Sequence, residues 1–444
     1  MIDWKKALED LITYSFDKGF FNGNWLLKKR GEIVSRGSLG PAHPARGNPL
    51  REDTVFEMAS VSKHFTATAV LILRDRGALS LDDPLEKYFP GAPYPGIVVK
   101  NLLNHTSGLP DYMEWLAEKG ERENTIYPNA AMEDFLLHSG LPALFAPGEG
   151  WSYCNTAYAL LALIIEKASG KSFADFMRDE IFAPCGMTSS CVYHRRLHGE
   201  TIENYAYGMV LDGGVYKLPE DTAENRFVIP LDGIEGDGIV NTTLDDMLAW
   251  DCAQRSCTVL SAHSQAEMAA PTRLKNGDEY PYGYGWRVGT DADAGRILQH
   301  SGGWPGYNTY FARLLDEDSM LVCMLNQTGC DSLARKEVFE GMVEILCGRE
   351  PALPAALAEQ EDQTVGAAEL ARRCGSYEGG IEVYTDNDCL MMRWNEYGQK
   401  VESRLVPLQG GGFYLAERGC RLALDGRTIR GDLLGRKASF SKKE

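Results

Sequence analysis

The sequence contains no apolar run of the roughly 20 residues that a helix needs to cross a bilayer. Basic residues are also in the minority, since 63 Asp and Glu outweigh 45 Lys and Arg and leave a net charge of −18. A phosphate backbone binds to a basic protein face, so this balance argues against nucleic-acid binding. We therefore expect neither a membrane span nor a nucleic-acid partner.

The eleven cysteines include no Cys-x-x-Cys pair and no zinc-type spacing. Several lie among apolar residues, as Cys323 does in MLVCML, where a thiol behaves as a small buried hydrophobe. We expect reduced structural cysteines, and neither a metal nor a cofactor. The N-terminal segment lacks the apolar core and cleavage site of a signal peptide, which predicts a cytoplasmic protein, although removal of a leader would leave the same start.

The length and composition predict a soluble protein with more than one compact unit. The chain has 444 residues, 44% of them hydrophobic and 24% charged, which exceeds what one core usually supports. Residues 349–366 are rich in Pro, Ala and Glu, as interdomain linkers are. Residues 1–348 are then the main domain, and short β-type runs with turns in residues 367–444 predict a small antiparallel barrel or sandwich.

Hydrophobic periodicity places helices and strands along the main domain. Trp4, Leu8 and Leu11 recur at helical spacing and predict an amphipathic first helix, and NWLLKKRGEIVSRGS predicts two strands joined at Arg30-Gly31. The same criteria predict helices at 60–76, 99–104, 131–138, 155–169 and 172–182, and antiparallel strands at 296–300, 307–315 and 319–326.

The pair Ser60 and Lys63 begins the predicted helix at 60–76. Residues at i and i+3 lie on one helix face, so the lysine amine can meet the serine hydroxyl and activate it as a nucleophile. A second Ser-x-x-Lys at Ser439 and Lys442 shows that the short motif also arises by chance.

Tyr153 and Asn155 directly precede the apolar helix TAYALLALIIEKASG. A tyrosine beside Ser60 could move a proton between the hydroxyl and a leaving group, and an asparagine amide could hold a substrate amide. Another Tyr-x-Asn, at Tyr127 and Asn129, has Pro128 between its side chains and is more typical of a turn.

The segment His300-Ser301-Gly302-Gly303 follows the predicted strand RILQH. A strand edge beside the nucleophile can donate a backbone N–H into an oxyanion hole, and glycines allow close approach. The imidazole could bind a substrate carboxylate or Tyr153. His138-Ser139-Gly140, in contrast, ends a helical run and is typical of a helix C-cap.

Ser60-x-x-Lys63, Tyr153-x-Asn155 and His300-x-Gly302 resemble the three motifs of serine β-lactamases and low-molecular-weight penicillin-binding proteins, particularly the class C-like group. The resemblance covers residues 5–346 and extends to LLNHTSGLPDY and GDGIVNTTLDDMLAW. It implies an α+β fold, in which helices flank an antiparallel sheet and a helical insertion completes the active site. The tail resembles the lipocalin-like C-terminal β-barrel domains of related D-aminopeptidases and esterases.

The resemblance also implies a role for each motif residue. Ser60 is the expected nucleophile, Lys63 its base and Tyr153 the general acid/base. Asn155 and the segment 300–303 (His300, Ser301, Gly302 and Gly303) are the expected substrate-binding residues, with the N–H groups of Ser60 and Gly303 as the oxyanion hole. The implied function is a serine hydrolase that forms an acyl-enzyme on amide or ester carbonyls, with D-amino-acid-containing peptides as the first candidate substrates.

One departure narrows this expectation. Most class C β-lactamases have Lys-Thr-Gly where this chain has His300-Ser301-Gly302, and a histidine is largely neutral at pH 7. Efficient β-lactamase action is therefore not implied, whereas slow acylation by β-lactams is. Two alternative functions stay open: a carboxylesterase, and a penicillin-binding sensor that is acylated without turnover. A homo-oligomer also stays open. The C-terminal domain either restricts access to the cleft or mediates dimerisation.

Other residues near the motifs have structural interpretations. Ser62 and His64 are expected to pack in the helix, and His105 to stabilise its loop. Trp304 and Tyr307 either line the pocket or pack beneath it. Glu235 and Asp237 are expected in a solvated loop, with substrate contact as the alternative. An α/β-hydrolase is disfavoured, because Gly150-x-Ser152-x-Cys154 lacks the second glycine of the nucleophile elbow and no βαβ alternation is present.

Overall fold

The computed structural model describes residues 2–197, 199, 201–329, 331–387, 389–396, 399–416, 420–433 and 436–443. The chain divides into two compact units. The first comprises Met1–Cys330 and Phe339–Pro351, and the second comprises Asp331–Val338 and Ala352–Glu444. The boundaries expected from composition, at 348 and 366, stay a prediction. No helix in the described ranges is long and apolar enough to cross a membrane.

The strands of the first unit are β1 (Gly23–Lys29), β2 (Glu32–Leu39), β3 (Phe56–Glu57), β4 (Cys191–Val192), β5 (Met209–Asp212), β6 (Val215–Lys217), β7 (Val240–Thr242), β8 (Thr272–Arg273), β9 (Glu279–Tyr280), β10 (Arg287–Asp291), β11 (Gly295–Trp304), β12 (Tyr307–Leu314), β13 (Ser319–Leu325) and β14 (Gln327–Thr328). The main sheet has six strands in the order β10-β11-β12-β13-β1-β2, and each pair is antiparallel. This sheet is unlike the parallel sheet of an α/β-hydrolase.

The α-helices that precede β14 are α1 (Trp4–Asp17), α2 (Lys63–Asp75), α3 (Leu85–Tyr88), α4 (Val99–Leu103), α5 (Met113–Glu123), α6 (Ala131–His138), α7 (Asn155–Ser169), α8 (Phe173–Met177), α9 (Leu244–Arg255) and α10 (Ala262–Met268). Helices α2 and α7 are buried over most of their length and supply much of the main hydrophobic core. Both carry apolar residues on every face, as expected for helices enclosed by the rest of a domain. The two helices therefore form a fixed base for the residues at their N-termini.

Most of the predicted helices and strands are confirmed, with two corrections that concern the motifs. The α-helix predicted to begin at Ser60 begins at Lys63, because Ala59–Ser62 form a 3₁₀ turn. The strand predicted at 296–300 continues to Trp304, so the segment 300–303 lies inside β11 and not beyond its end. Both errors arise because hydrophobic periodicity does not resolve a tightened first turn or a glycine-rich strand end.

The second unit contains α11 in part (Ser332–Leu346), α12 (Leu357–Gln360) and α13 (Ala367–Arg373). Its eight strands pair in chain order as one antiparallel sheet: β15 (Gly375–Ser376), β16 (Glu382–Asp386), β17 (Cys389–Glu396), β18 (Gln399–Pro407), β19 (Phe413–Leu415), β20 (Cys420–Leu424), β21 (Thr428–Leu433) and β22 (Arg436–Ser441). An isolated bridge joins Tyr377 to Lys442, so the sheet curls on itself around a core that includes Trp394 and Phe413. The predicted α+β fold with a C-terminal curled antiparallel sheet is confirmed.

No disulfide joins the ten cysteines that lie within the described residues. Cys154 and Cys323 are buried, and burial raises the pKa of the Cys154 thiol to about 12. A thiol with so high a pKa is a poor nucleophile. Cys330 lies outside the described residues.

Candidate active site

Ser60 lies in the 3₁₀ turn between β3 and α2, and the turn is held from two sides. Its first residue, Ala59, has a φ of +46°, a left-handed conformation that is costly for a residue with a Cβ. The preceding carbonyl of Met58 accepts a hydrogen bond from the Thr309 hydroxyl of β12 at 2.7 Å. On the other side, the Ser62 hydroxyl accepts the Val240 N–H of β7 at 3.1 Å. The flanking strands thus fix the position of the Ser60 side chain.

Gly302 allows β11 to approach this turn. A Cβ on Gly302 would lie 2.2 Å from the Thr309 hydroxyl oxygen and 2.3 Å from the Met58 carbonyl oxygen, so any larger residue would displace the turn. Gly303 differs, because a Cβ there would have no neighbour within 4 Å. Gly303 is exposed and lines the same cleft as Ser60. Gly302 therefore serves packing, whereas the Gly303 backbone faces the cleft.

Lys63 is fully buried at the first position of α2, and its ammonium makes three hydrogen bonds. The Nζ donates to Ser60 Oγ at 3.2 Å, to Asn155 Oδ1 at 2.9 Å and to the Asp237 carbonyl oxygen at 2.6 Å. An ammonium has three protons, so its donor capacity is filled. The structure thus brings two other motif residues, Ser60 and Asn155, to one ammonium group, although they lie far apart in the sequence.

Tyr153 lies on the other side of the Lys63 ammonium. Its hydroxyl is buried, and no described residue hydrogen-bonds to it. The Lys63 Nζ lies 4.9 Å from the centre of the tyrosine ring, and the His105 ring packs against the same ring at 4.5 Å. A buried hydroxyl without a partner is costly, which is a common property of groups that act on a substrate.

Asp111 orients the amide of Asn155, a function that sequence reasoning missed. Its Oδ2 accepts the Asn155 backbone N–H at 3.0 Å and the side-chain Nδ2–H at 3.2 Å. Because the amide nitrogen is directed toward Asp111, the amide oxygen is the atom that meets Lys63. No local sequence pattern predicts this contact, because Asp111 lies 44 positions from Asn155.

His300 is buried on β11, and both of its ring nitrogens bond within the protein. Tyr282 donates its hydroxyl proton to Nε2 at 2.9 Å, and Nδ1 donates to the Ser301 carbonyl oxygen at 2.7 Å. Burial, together with the nearby charges of Arg287 and Lys63, lowers the pKa of His300 to about 3. The imidazole is therefore neutral at physiological pH, and it bonds Tyr282 where the sequence suggested Tyr153. Ser301, the next residue, is exposed.

Asp237 and Glu235 do not lie in a solvated loop, so that expectation is wrong. Asp237 is 7% exposed, and its Oδ2 accepts the Tyr112 hydroxyl at 2.9 Å. Burial raises the pKa of Asp237 to about 6, against the opposing effects of Lys63 and of the Tyr112 hydrogen bond. Glu235 instead pairs with His194 at 2.9 Å. A single sequence could not show that Tyr112, 125 positions away, would cover Asp237.

The remaining residues near the motifs have structural roles. His64 stacks on Trp286 with ring centres 4.4 Å apart, and His105 accepts the Cys154 N–H at 3.1 Å, as predicted for packing and loop-stabilising residues. The Tyr307 hydroxyl donates to the Ala206 carbonyl oxygen at 2.8 Å beneath the site. Trp304 instead lines the cleft.

Ser60, Asn155 and Gly303 line one cleft of the first unit. Its described lining is Glu57, Ala59, Ser60, Tyr112, Met113, Asn155, Leu231, Asp232, Ile234, Asp237, Gly238, Ile239, Gly303 and Trp304. Three members are carboxylates, and the described lining includes no lysine, arginine or histidine. No group of three metal-ligating side chains was found within the described residues.

Comparison with known proteins matches this arrangement to one family. The family model named beta-lactamase matches residues 16–339. Penicillin-binding protein 4* of Bacillus subtilis (strain 168) is 38% identical over 417 residues, which cover 93% of this chain and 91% of that protein. Among solved structures, D-amino acid amidase from Ochrobactrum anthropi SV3, in complex with L-phenylalanine amide, is 26% identical with a TM-score of 0.63 and covers 78% of this chain and 98% of that one.

The similarity of fold extends over the whole chain. The octameric penicillin-binding protein homologue from Pyrococcus abyssi aligns with a TM-score of 0.68 over 99% of this chain and all of its own, at 22% identity. The family match spans the Ala59–Ser62 turn, the main sheet and the helices α2 and α7. This chain belongs to the beta-lactamase family.

Proposed function

We propose that this chain is a serine hydrolase that forms an acyl-enzyme on Ser60. The contact that carries the proposal is the 3.2 Å hydrogen bond between Lys63 Nζ and Ser60 Oγ, because a serine hydroxyl needs an adjacent base to become a nucleophile. Before acylation the Lys63 ammonium gives up one proton to solvent. Ser60 Oγ then attacks a substrate carbonyl carbon while its own proton passes to the Lys63 amine. The resulting oxyanion accepts hydrogen bonds from the backbone N–H groups of Ser60 and Gly303.

Tyr153 completes the cycle in this proposal. Its hydroxyl donates a proton to the departing amine or alkoxide, and the tyrosinate recovers a proton from Lys63. Water then attacks the Ser60 ester, with the same residues returning the proton to Ser60 Oγ as the acid product leaves. The partnerless hydroxyl of Tyr153 and its position 4.9 Å from Lys63 Nζ, measured to the ring centre, support this role.

We propose small amides and esters as the substrate class, with D-amino-acid amides and peptides first. Two observations support this choice. The similar amidase acts, by its name, on D-amino acid amides. The neutral, internally bonded His300 offers no positive charge to the carboxylate of a β-lactam, so we expect β-lactams to acylate slowly. Ser301 and Gly303, the exposed residues of this segment, are the proposed backbone contacts for substrate.

A panel of p-nitrophenyl esters, D-aminoacyl p-nitroanilides and nitrocefin tests the proposal. We expect sustained turnover of at least one ester or anilide and its loss in Ser60→Ala. Ser439→Ala is the matched control, because Ser439 belongs to the chance Ser-x-x-Lys copy and is exposed on β22 of the second unit. Equal turnover by wild type and Ser60→Ala would contradict the proposal.

The alternative of a sensor that acylates without turnover gives a different time course. A sensor releases one equivalent of p-nitrophenol and then stops, whereas a hydrolase continues. The complete set of Ser60, Lys63, Tyr153 and Asn155 favours the hydrolase. A cytoplasmic location and a homo-oligomer both stay predictions for this chain, and the similar Pyrococcus abyssi protein is octameric.

A further inference from the structure

Glu57 is a buried carboxylate three residues before Ser60, and the catalytic steps above do not use it. It is 7% exposed on β3, where it pairs in register with Asn241 of β7. Its neighbour Phe56 is directed into the main core, so the alternation of a strand directs Glu57 to the opposite side. There it lines the cleft together with Ser60 and Asn155.

The Glu57 carboxylate forms no hydrogen bond or ion pair with any described residue, although charged groups surround it. Of the two nearby arginines, Arg195 is paired with Glu220, and Arg196 is paired with both Glu220 and Asp232 at 2.7 Å. Two guanidinium groups are thus matched by two carboxylates, which leaves Glu57 without a counter-charge. Burying an unpaired carboxylate is costly, so a role outside folding is expected for it.

The other polar groups that face Glu57 also form hydrogen bonds with other residues. His194 bonds Glu235 at 2.9 Å. The Tyr307 hydroxyl donates to the Ala206 carbonyl oxygen at 2.8 Å, and its oxygen lies 3.1 Å from that of Tyr205. Burial is the main reason that the pKa of Glu57 rises to about 7, with Arg196 opposing and Asp232 adding to the rise. None of these neighbours neutralises the carboxylate.

The other charged groups at the cleft, unlike Glu57, have counter-charges nearby. Asp232 and Asp237 are the other carboxylates of its described lining, and Asp232 is paired with Arg196 at 2.7 Å. The three hydrogen bonds of Lys63 go to uncharged acceptors, so its positive charge remains and acts on Asp237, whereas His300 is neutral. Glu57 is thus the carboxylate of the described lining that has no counter-charge, and such a group attracts a cationic part of a substrate.

We propose that Glu57 is a specificity-determining residue that binds an ammonium group of the substrate whose carbonyl acylates Ser60. This inference rests on the proposed function, and it adds the requirement for a cationic group on the acyl part. That group is either the free α-ammonium of an aminoacyl substrate or an ammonium on its side chain. Both present the same chemistry to Glu57, and matched substrates separate them.

The test compares kcat/KM for matched substrate pairs in wild type and Glu57→Gln, which keeps the size of the side chain and removes its charge. D-alanine p-nitroanilide and its N-acetyl form test the α-ammonium. N-acetyl-D-lysine and N-acetyl-D-norleucine p-nitroanilides test the side-chain ammonium. In wild type we expect the charged member of one pair to be favoured by about tenfold or more, as for a close charge pair in a desolvated site.

Glu57→Gln is expected to abolish this preference by raising KM for the charged member, with the uncharged member changed by less than about twofold. Glu235→Gln is the matched control, because this partly buried glutamate pairs with His194 and does not line the cleft. It should keep the wild-type preference. A preference that survives Glu57→Gln, or no preference in wild type, would overturn the inference.

A second measurement uses wild-type protein alone, in case Glu57→Gln does not fold. n-Butylammonium is expected to inhibit ester hydrolysis competitively at about tenfold lower concentration than n-butanol, which has the same alkyl chain without the charge. Equal inhibition would overturn the inference. Turnover of p-nitrophenyl acetate needs no ammonium group. If the protein hydrolyses this ester but shows no preference for cationic substrates or inhibitors, the role of Glu57 is refuted and the proposed hydrolase stands.

Discussion

Replacing Glu57 with glutamine should stabilise the protein above neutral pH, and the same substitution should weaken its preference for substrates with an ammonium group. Glu57 is 7% exposed, and burial raises its pKa from 4.5 to about 7. The folded protein therefore holds this proton more tightly than the unfolded chain does. The stability contributed by Glu57 is complete below pH 4.5 and is lost as the pH rises through about 7. A glutamine amide at this position carries no titrating proton and has no such loss.

The rise in the pKa of Glu57 determines how much the free energy of unfolding changes with pH. At about 1.36 kcal/mol per pKa unit, a rise from 4.5 to about 7 corresponds to about 3 kcal/mol at pH values above both. Part of this stability is already lost at pH 5. The increase in the free energy of unfolding caused by Glu57→Gln should therefore be about 2 to 3 kcal/mol larger at pH 8 than at pH 5. Any cost of burying the glutamine amide is the same at both pH values and cancels in this difference.

Urea unfolding of wild type and Glu57→Gln at pH 5 and pH 8 measures this difference. Tryptophan fluorescence is a suitable signal, because seven of the eight tryptophans belong to the first unit and only Trp394 to the second. Glu235→Gln again serves as control, since its carboxylate is paired with His194. Parallel pH profiles for wild type and Glu57→Gln would refute the reasoning that an uncompensated carboxylate is buried there.

Three further predictions concern the site. Asp111→Ala removes the acceptor that orients Asn155, so kcat should fall about 10- to 100-fold in steady-state assays, and an unchanged kcat would contradict that role. Tyr153→Phe should slow deacylation by about 10²- to 10⁴-fold and let the acyl-enzyme accumulate in intact-mass spectra; wild-type deacylation would exclude the proton transfer. Because the pKa of His300 is about 3, His300→Asn should keep the shape of the plot of kcat/KM against pH between pH 5 and pH 8. If wild type loses kcat/KM toward pH 5 and His300→Asn does not, the imidazole titrates in this range, which would contradict the prediction.

The sequence was sufficient to predict the fold and the motif residues that meet in the site. Apolar periodicity located α7, and alternation located β12 and β13, because local pattern and tertiary burial agree in these elements. The order of the three motifs, more than any one of them, predicted that Ser60, Lys63 and Asn155 would meet. The structure joins these three residues through hydrogen bonds from the Lys63 ammonium.

The acidic residues of the cleft could not be predicted in the same way. Glu57, Asp111 and Asp237 look in the sequence like surface carboxylates, and their burial or pairing depends on segments far away in the chain. Asp237 is covered by Tyr112, and Asp111 reaches Asn155 across 44 positions. Single-sequence patterns report local periodicity, whereas the environment of a carboxylate is set by long-range packing.

Covalent labelling shows directly whether Ser60 is the nucleophile. Wild-type protein is treated with a fluorophosphonate or with a penicillin, digested and analysed by mass spectrometry. We expect the mass of the probe to be added to the peptide that contains Ser60. Ser60→Ala should abolish this labelling, and Ser439→Ala should keep it. A label on any other residue, or one that survives Ser60→Ala, would contradict the assignment of Ser60 as the nucleophile.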